Sequence, residues 1–122
     1  MTKQALPKPR VLLLEDDALI NMDTAQLLEG MGYAVQSYMH LEPCFAAVRN
    51  ELPDAAVLDV NIAGATSYEL ADWLEKRRVP VIFLTGFELE DPLLRGRATC
   101  SKPCETALLR KLIADALTGE RD

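Results

Sequence analysis

Three stretches of this chain, VLLL at 11–14, AAVLDV at 55–60 and VIFL at 81–84, are apolar at almost every position. A strand with one wet face alternates polar and apolar residues. A run without alternation reads as a strand covered on both sides. That points to parallel strands sandwiched between helices rather than to an open antiparallel sheet. AVQSY at 34–38 and ATCS at 98–101 complete a set of five expected strands.

The intervening stretches carry helical spacing. Ile20, Leu27, Leu28 and Met31 share one helical face, with Gly30 and Gly32 as the stop. Pro43 opens a second helix that runs to about Glu51. Thr66 and Glu69 have the spacing of a capping box before Leu70, Ala71 and Leu74. A last helix from near Glu105 carries Leu108, Leu109, Leu112, Ile113 and Leu117. Only 12 residues, 86–97, separate the final two strands, and they include Gly86, Pro92 and Gly96. That barely meets the minimum for a helical crossover, so the fourth helix is expected to be short, irregular or missing. The expected fold is α/β, a doubly wound five-stranded parallel sheet with helices on both faces.

At 122 residues the chain makes one domain, expected over 10–118, with a flexible arm over 1–9 and a tail over 119–122. A net charge of -6 argues against a nucleic-acid surface. No apolar run approaches the ~20 residues of a membrane span, and the polar first ten residues do not read as a signal peptide. Cys44, Cys100 and Cys104 show no metal-ligand spacing, and the one histidine, His40, stands apart from them. They are expected as ordinary thiols in a reducing, cytoplasmic compartment.

The first apolar run ends on Glu15, Asp16 and Asp17. Two like charges ~4 Å apart repel by about 4 kcal/mol at an effective dielectric near 20. Asp17 is explained by capping the next helix. The other two need a further reason. In a doubly wound sheet, ligands bind off the carboxyl ends of the strands. That rule gathers Glu15, Asp16, Asp59, Thr85 and Lys102 at one edge. A hard divalent cation such as Mg2+ would relieve the repulsion and leave one carboxylate free to attack phosphorus. A hydroxyl and an ammonium could then hold the other phosphoryl oxygens.

The order Glu-Asp, a distant Asp, Thr and Lys-Pro resembles the receiver domain of two-component response regulators, from about Arg10 to Leu117. The resemblance implies a flavodoxin-like fold and a phosphorelay signalling module rather than an enzyme. It implies that Asp59 is the phosphoacceptor, Thr85 the switch hydroxyl and Lys102 a contact to the phosphoryl group, with Lys102–Pro103 cis. Glu15, Asp16, Asp59 and the backbone carbonyl of Asn61 would hold Mg2+. "VIFLTGF" resembles the single-domain subgroup marked by Phe-Ala-Thr-Gly, with Leu84 replacing the Ala. A sensor histidine kinase or phosphotransfer protein would supply the phosphoryl group, and a downstream protein would read the result. The family usually has Pro where Ala63 stands and an aromatic where Thr99 stands. A phosphatase of the haloacid dehalogenase type would need an acid at position 61, and Asn61 cannot shuttle a proton.

Overall fold

A computed structural model describes residues 7–119. Residues 1–6 of the expected arm and 120–122 of the expected tail lie outside the described residues. Strands β1 (Arg10–Leu14), β2 (Ala34–Tyr38), β3 (Ala55–Asp59), β6 (Val81–Thr85) and β7 (Ala98–Ser101) form one parallel sheet in the order β2-β1-β3-β6-β7. Helices α1 (Ala18–Gly30), α2 (Leu41–Asn50), α3 (Tyr68–Lys76) and α4 (Thr106–Thr118) complete the doubly wound fold. Among the described residues no helix is long and apolar enough to cross a membrane.

The uninterrupted apolar runs are the middle of the sheet. Every residue of β3 and β6 is buried, as are Val11 to Leu14 of β1. Alternate residues feed two separate cores. Leu12, Leu14, Leu58 and Phe83 point to the side of α2 and α3, where they meet Val48, Leu70 and Leu74. Val11, Leu13, Val57 and Ile82 point to the side of α1 and α4, against Leu28, Leu109 and Ile113. Full burial of each such side chain is worth about 1.5–3 kcal/mol, so both layers are held on the sheet by the same strands.

Several local expectations are corrected. Ile20 is exposed, whereas Leu28 is buried as expected and Asn21 joins it on the face that α1 buries. Asn21 can sit there because its amide donates to the carbonyls of Glu15 (2.9 Å) and Tyr38 (3.1 Å), which ties the end of β1 to β2. Helix α2 begins at Leu41, so Pro43 lies inside its first turn, where no N–H is missed. Thr66 is not a cap, because it belongs to a small hairpin of β4 (Asn61–Ile62) and β5 (Ala65–Thr66). Ser67 stands at the N-cap of α3, but its hydroxyl is used elsewhere.

Between β6 and β7 there is no α-helix. The segment forms two single 3-10 turns, Glu88–Glu90 and Pro92–Leu94. Arg97 anchors its end to α3 by ion pairs with Asp72 (2.7 Å) and Glu75 (3.5 Å). The Tyr68 hydroxyl donates to Asp91 at 2.8 Å. Phe87 is fully exposed.

The cysteines also depart from expectation. Cys100 and Cys104 are joined in a disulfide rather than standing as separate thiols. The chain turns back after β7 and brings their Cα atoms to 5.6 Å, within bridging range. Cys44 is a free, buried thiol, and burial pushes its pKa up to about 12. A paired thiol removes the sequence argument for a reducing compartment.

Candidate functional site

Each site residue stands where a strand stops. Leu14 pairs with Leu58, so Glu15 and Asp59 leave neighbouring strands side by side. Asp59 in turn lies opposite Leu84, which sets Thr85 one step further out on β6. Thr85 pairs with Ser101, and the Lys102 N–H donates to the Thr85 carbonyl at 2.8 Å. Parallel register alone therefore brings Glu15, Asp59, Thr85 and Lys102 to one edge.

The three acids at the start of α1 divide their work. Asp17 caps the helix, its Oδ1 accepting from Leu19 and Ile20 N–H at 3.0 Å each. Glu15 is fully buried, and its Oε2 accepts from the Asp17 N–H at 3.0 Å. Asp16 reaches across the edge, where its Oδ2 accepts from the Ala63 N–H at 2.9 Å. Carboxylate oxygens of Glu15, Asp16 and Asp59 lie within 4.8 Å of one another, close enough to share one metal ion.

Among the described residues, Lys102 is the one cation in contact with this group. Its Nζ donates to Asp59 Oδ2 at 2.9 Å and to Glu15 Oε1 at 3.2 Å. Asp59 is only 3% exposed, and burial is the main force that pushes its pKa up to about 7. The Lys102 hydrogen bond pulls it down, and the Glu15 charge pushes it up again. Burial by itself would lower the pKa of Lys102, but the hydrogen bonds and charges of Asp59 and Glu15 outweigh it and hold that pKa above the ordinary lysine value. One ammonium facing three carboxylates leaves the edge short of positive charge. A divalent cation fits that deficit, and hard oxygen ligands suit Mg2+ or a similar ion.

Thr85 is completely buried, and its hydroxyl has no hydrogen-bond partner among the described residues. Buried polar atoms are nearly always paired, so an orphan beside a carboxylate cluster marks a place for a ligand oxygen. Asn61 opens β4 two residues after Asp59, and its side chain donates to Glu88 Oε2 at 2.8 Å.

Three contributors escaped the sequence. Ser67 is fully buried, and its hydroxyl donates to the Asp59 carbonyl at 2.6 Å, fixing the backbone that carries the carboxylate. Asn21 does the same for the Glu15 carbonyl. Glu88 brings a further carboxylate to the mouth, where it also accepts from the Gly86 N–H at 2.7 Å. The tripeptide Thr85-Gly86-Phe87 gives no hint that the next residue folds back on it.

Comparison with known proteins shows the family and the fold. The family model of the response regulator receiver domain matches residues 11–114, and the chain belongs to that family. It is 32% identical over 91 residues to the transcriptional regulatory protein RprY of Bacteroides fragilis, covering 73% of this chain and 39% of that protein. It is 30% identical over 95 residues to the transcriptional regulatory protein PdtaR of Mycobacterium tuberculosis, covering 76% of this chain and 46% of that one. The chain thus spans less than half the length of these curated relatives. Among solved structures, a CheY-like response regulator receiver domain from Methanospirillum hungatei superposes with a TM-score of 0.82 at 27% identity, over 93% of this chain and 96% of that one. A receiver protein from Sinorhizobium medicae gives 0.85 at 17% identity, over 96% and 100%, a likeness of fold.

Proposed function

We propose that this receiver accepts a phosphoryl group on Asp59 from a histidine kinase or a phosphotransfer protein, with Mg2+ held by Glu15, Asp16, Asp59 and the Asn61 carbonyl. The observation that carries this is the unpartnered Thr85 hydroxyl, buried at the same edge as a carboxylate that Lys102 already touches. An Asp59 oxygen attacks phosphorus, and the bond from phosphorus to the donor breaks with its electron pair leaving on the donor. The product is an acyl phosphate. Lys102 and Thr85 each have a donor for a phosphoryl oxygen, where negative charge concentrates. Bound Mg2+ would supply the charge neutralisation that lets a phosphoryl dianion approach carboxylates. Phe83, Thr85 and Gly86 support membership of the single-domain subgroup with the Phe-Ala-Thr-Gly signature, with Leu84 in place of its Ala.

The donor has a place to dock. A cleft of about 450 Å³ opens beside Lys102, lined by Ile20, Leu27 and Pro103 among others. Ile20, which lines the cleft, is exposed, as is Leu19 next to it in α1. An apolar cleft next to the acceptor is where a donor helix would bring its phosphohistidine.

Intact mass after incubation with acetyl phosphate and Mg2+ is the test. The parent should gain one hydroxylamine-sensitive phosphoryl group, and Asp59→Asn should gain none. An undiminished adduct in that variant places the chemistry elsewhere. Ile20→Glu should slow transfer from a phosphohistidine protein while leaving acetyl phosphate uptake intact. Equal slowing with both donors would remove the cleft from the mechanism.

A further inference from the structure

The end of β6 offers two neighbouring donors to a ligand, the Thr85 hydroxyl and the Gly86 N–H. They are treated differently. The hydroxyl is unpartnered, whereas the N–H is held by Glu88 Oε1 at 2.7 Å. The other oxygen of the same carboxylate takes the Asn61 amide at 2.8 Å, from the opposite side of the mouth. An anionic oxygen therefore already sits on the donors next to the phosphoacceptor.

We infer that Glu88 is a positioning residue that occupies the outer donors of the site as an internal anion, and that it must yield them when an anionic phosphoryl oxygen arrives. This rests on Asp59 being the phosphoacceptor. The physical ground is competition. Gly86 has one N–H to give, and a phosphoryl group on Asp59 would place a second anion against a carboxylate bound across the mouth. Departure is cheap, because Glu88 stands on a single 3-10 turn next to the fully exposed Phe87. The tether between Asn61 and Glu88 would break at the same moment, so loading of Asp59 would release the segment after Thr85 from the loop after β3. Glu88 thereby restrains the site while it is empty.

Calorimetric titration separates this role from a merely structural one. Mg2+ is titrated first, then beryllofluoride at saturating Mg2+, with the full chain, Glu88→Gln and Glu88→Ala. Glu88→Gln keeps an acceptor oxygen but loses the charge, whereas Glu88→Ala loses both. Beryllofluoride affinity should rise by about threefold in Glu88→Gln and by more in Glu88→Ala, while Mg2+ affinity stays within about twofold. The acetyl phosphate uptake rate should rise in the same order. Parent-like or weaker beryllofluoride binding in Glu88→Ala overturns the inference. So does a Mg2+ affinity that falls well beyond twofold in Glu88→Gln, since Glu88 would then serve the cation (threshold about that expected for one exposed charge). If the parent is phosphorylated on Asp59 but the variants gain nothing, the Glu88 inference alone fails. If the parent takes neither beryllofluoride nor a phosphoryl group, the phosphoacceptor reading fails and this one falls with it.

Discussion

The carboxylate pocket and the segment after Thr85 share one edge of the sheet but are built on opposite terms. Glu15 and Asp59 emerge from the neighbouring buried strands β1 and β3, and their backbone carbonyls are held by Asn21 and Ser67. The segment 86–97 is held by side-chain hydrogen bonds and ion pairs through Glu88, Asp91 and Arg97 and by one buried side chain, Leu94, and it turns no full α-helix. Reacting groups have to be held in place by their surroundings. An element that reports a change has to move at small energetic cost, so it belongs to the less stable part of a fold. Here the two requirements meet at the bond between Thr85 and Gly86.

The strongest way to break that contrast is to remove Lys102. Lys102→Ala leaves Glu15 and Asp59 buried without their cation, a change worth about 3 kcal/mol. Urea denaturation in EDTA at pH 8 should show that loss, and saturating Mg2+ should restore much of it. If stability in EDTA is unchanged, the pocket does not depend on the ammonium that touches it.

The pocket should also make the metal-free fold sensitive to pH, in a direction unusual for an aspartate. The Asp59 carboxyl has a folded-state pKa of about 7 against an ordinary 3.8, so the folded chain keeps a proton that the unfolded chain has released. That stabilisation is complete below about pH 4 and is lost as pH rises through about 7. Asp59→Asn carries no charge to desolvate. In EDTA it should exceed the parent by on the order of 2 kcal/mol at pH 8, with the gain shrinking as pH falls toward 5. A variant that melts below the parent in EDTA at pH 8 contradicts the repulsion argument.

For the segment the expected effects are smaller and local. Tyr68→Phe deletes the hydroxyl that donates to Asp91 and should cost about 1 kcal/mol. Amide exchange should quicken across 86–97 while the amides of β3 stay protected. With beryllofluoride and Mg2+, protection in the parent should change most across 86–97 and around Lys102. A response confined to α3 would route the signal by another face.

What the sequence revealed follows the same division. The β3 and β6 strands were legible because two-sided burial leaves no alternation, and parallel topology then placed Glu15, Asp59, Thr85 and Lys102 together without any side-chain detail. Asp17 was legible as a cap because capping is local. Asn21, Ser67 and Glu88 were not, since each acts through a hydrogen bond to a group fixed by the tertiary fold. Thr66 misled for the same reason: its spacing to Glu69 fits a cap, but the hairpin that follows β3 claims it. The disulfide escaped because proximity of Cys100 and Cys104 depends on how the chain turns after β7. Spacing alone did not show that turn.

The smallest effect lies in that hairpin. Ala63 and Gly64 form its two-residue turn, with φ of 52° and 87°. Positive φ at both turn residues is what a type I′ turn requires, and it suits Gly or Asn far better than Ala. An alanine in the left-handed region is disfavoured by roughly 1–2 kcal/mol, because its Cβ crowds the following carbonyl. Ala63 nevertheless holds the position, and its N–H donates to Asp16 at 2.9 Å. The loop where the family has Pro is therefore a tight, strained one that Asp16 fastens. Ala63→Gly relieves the strain and keeps the N–H, but it gives the unfolded chain more freedom, which offsets part of the gain. The net result should be a stabilisation of about 0.5 kcal/mol, read by urea denaturation, with Mg2+ affinity unchanged. Asp16→Asn in the same background should lower Mg2+ affinity, because it removes an anionic ligand. If Ala63→Gly weakens Mg2+ binding as much as Asp16→Asn does, then the alanine, through its strained backbone, is what holds Asp16 in place.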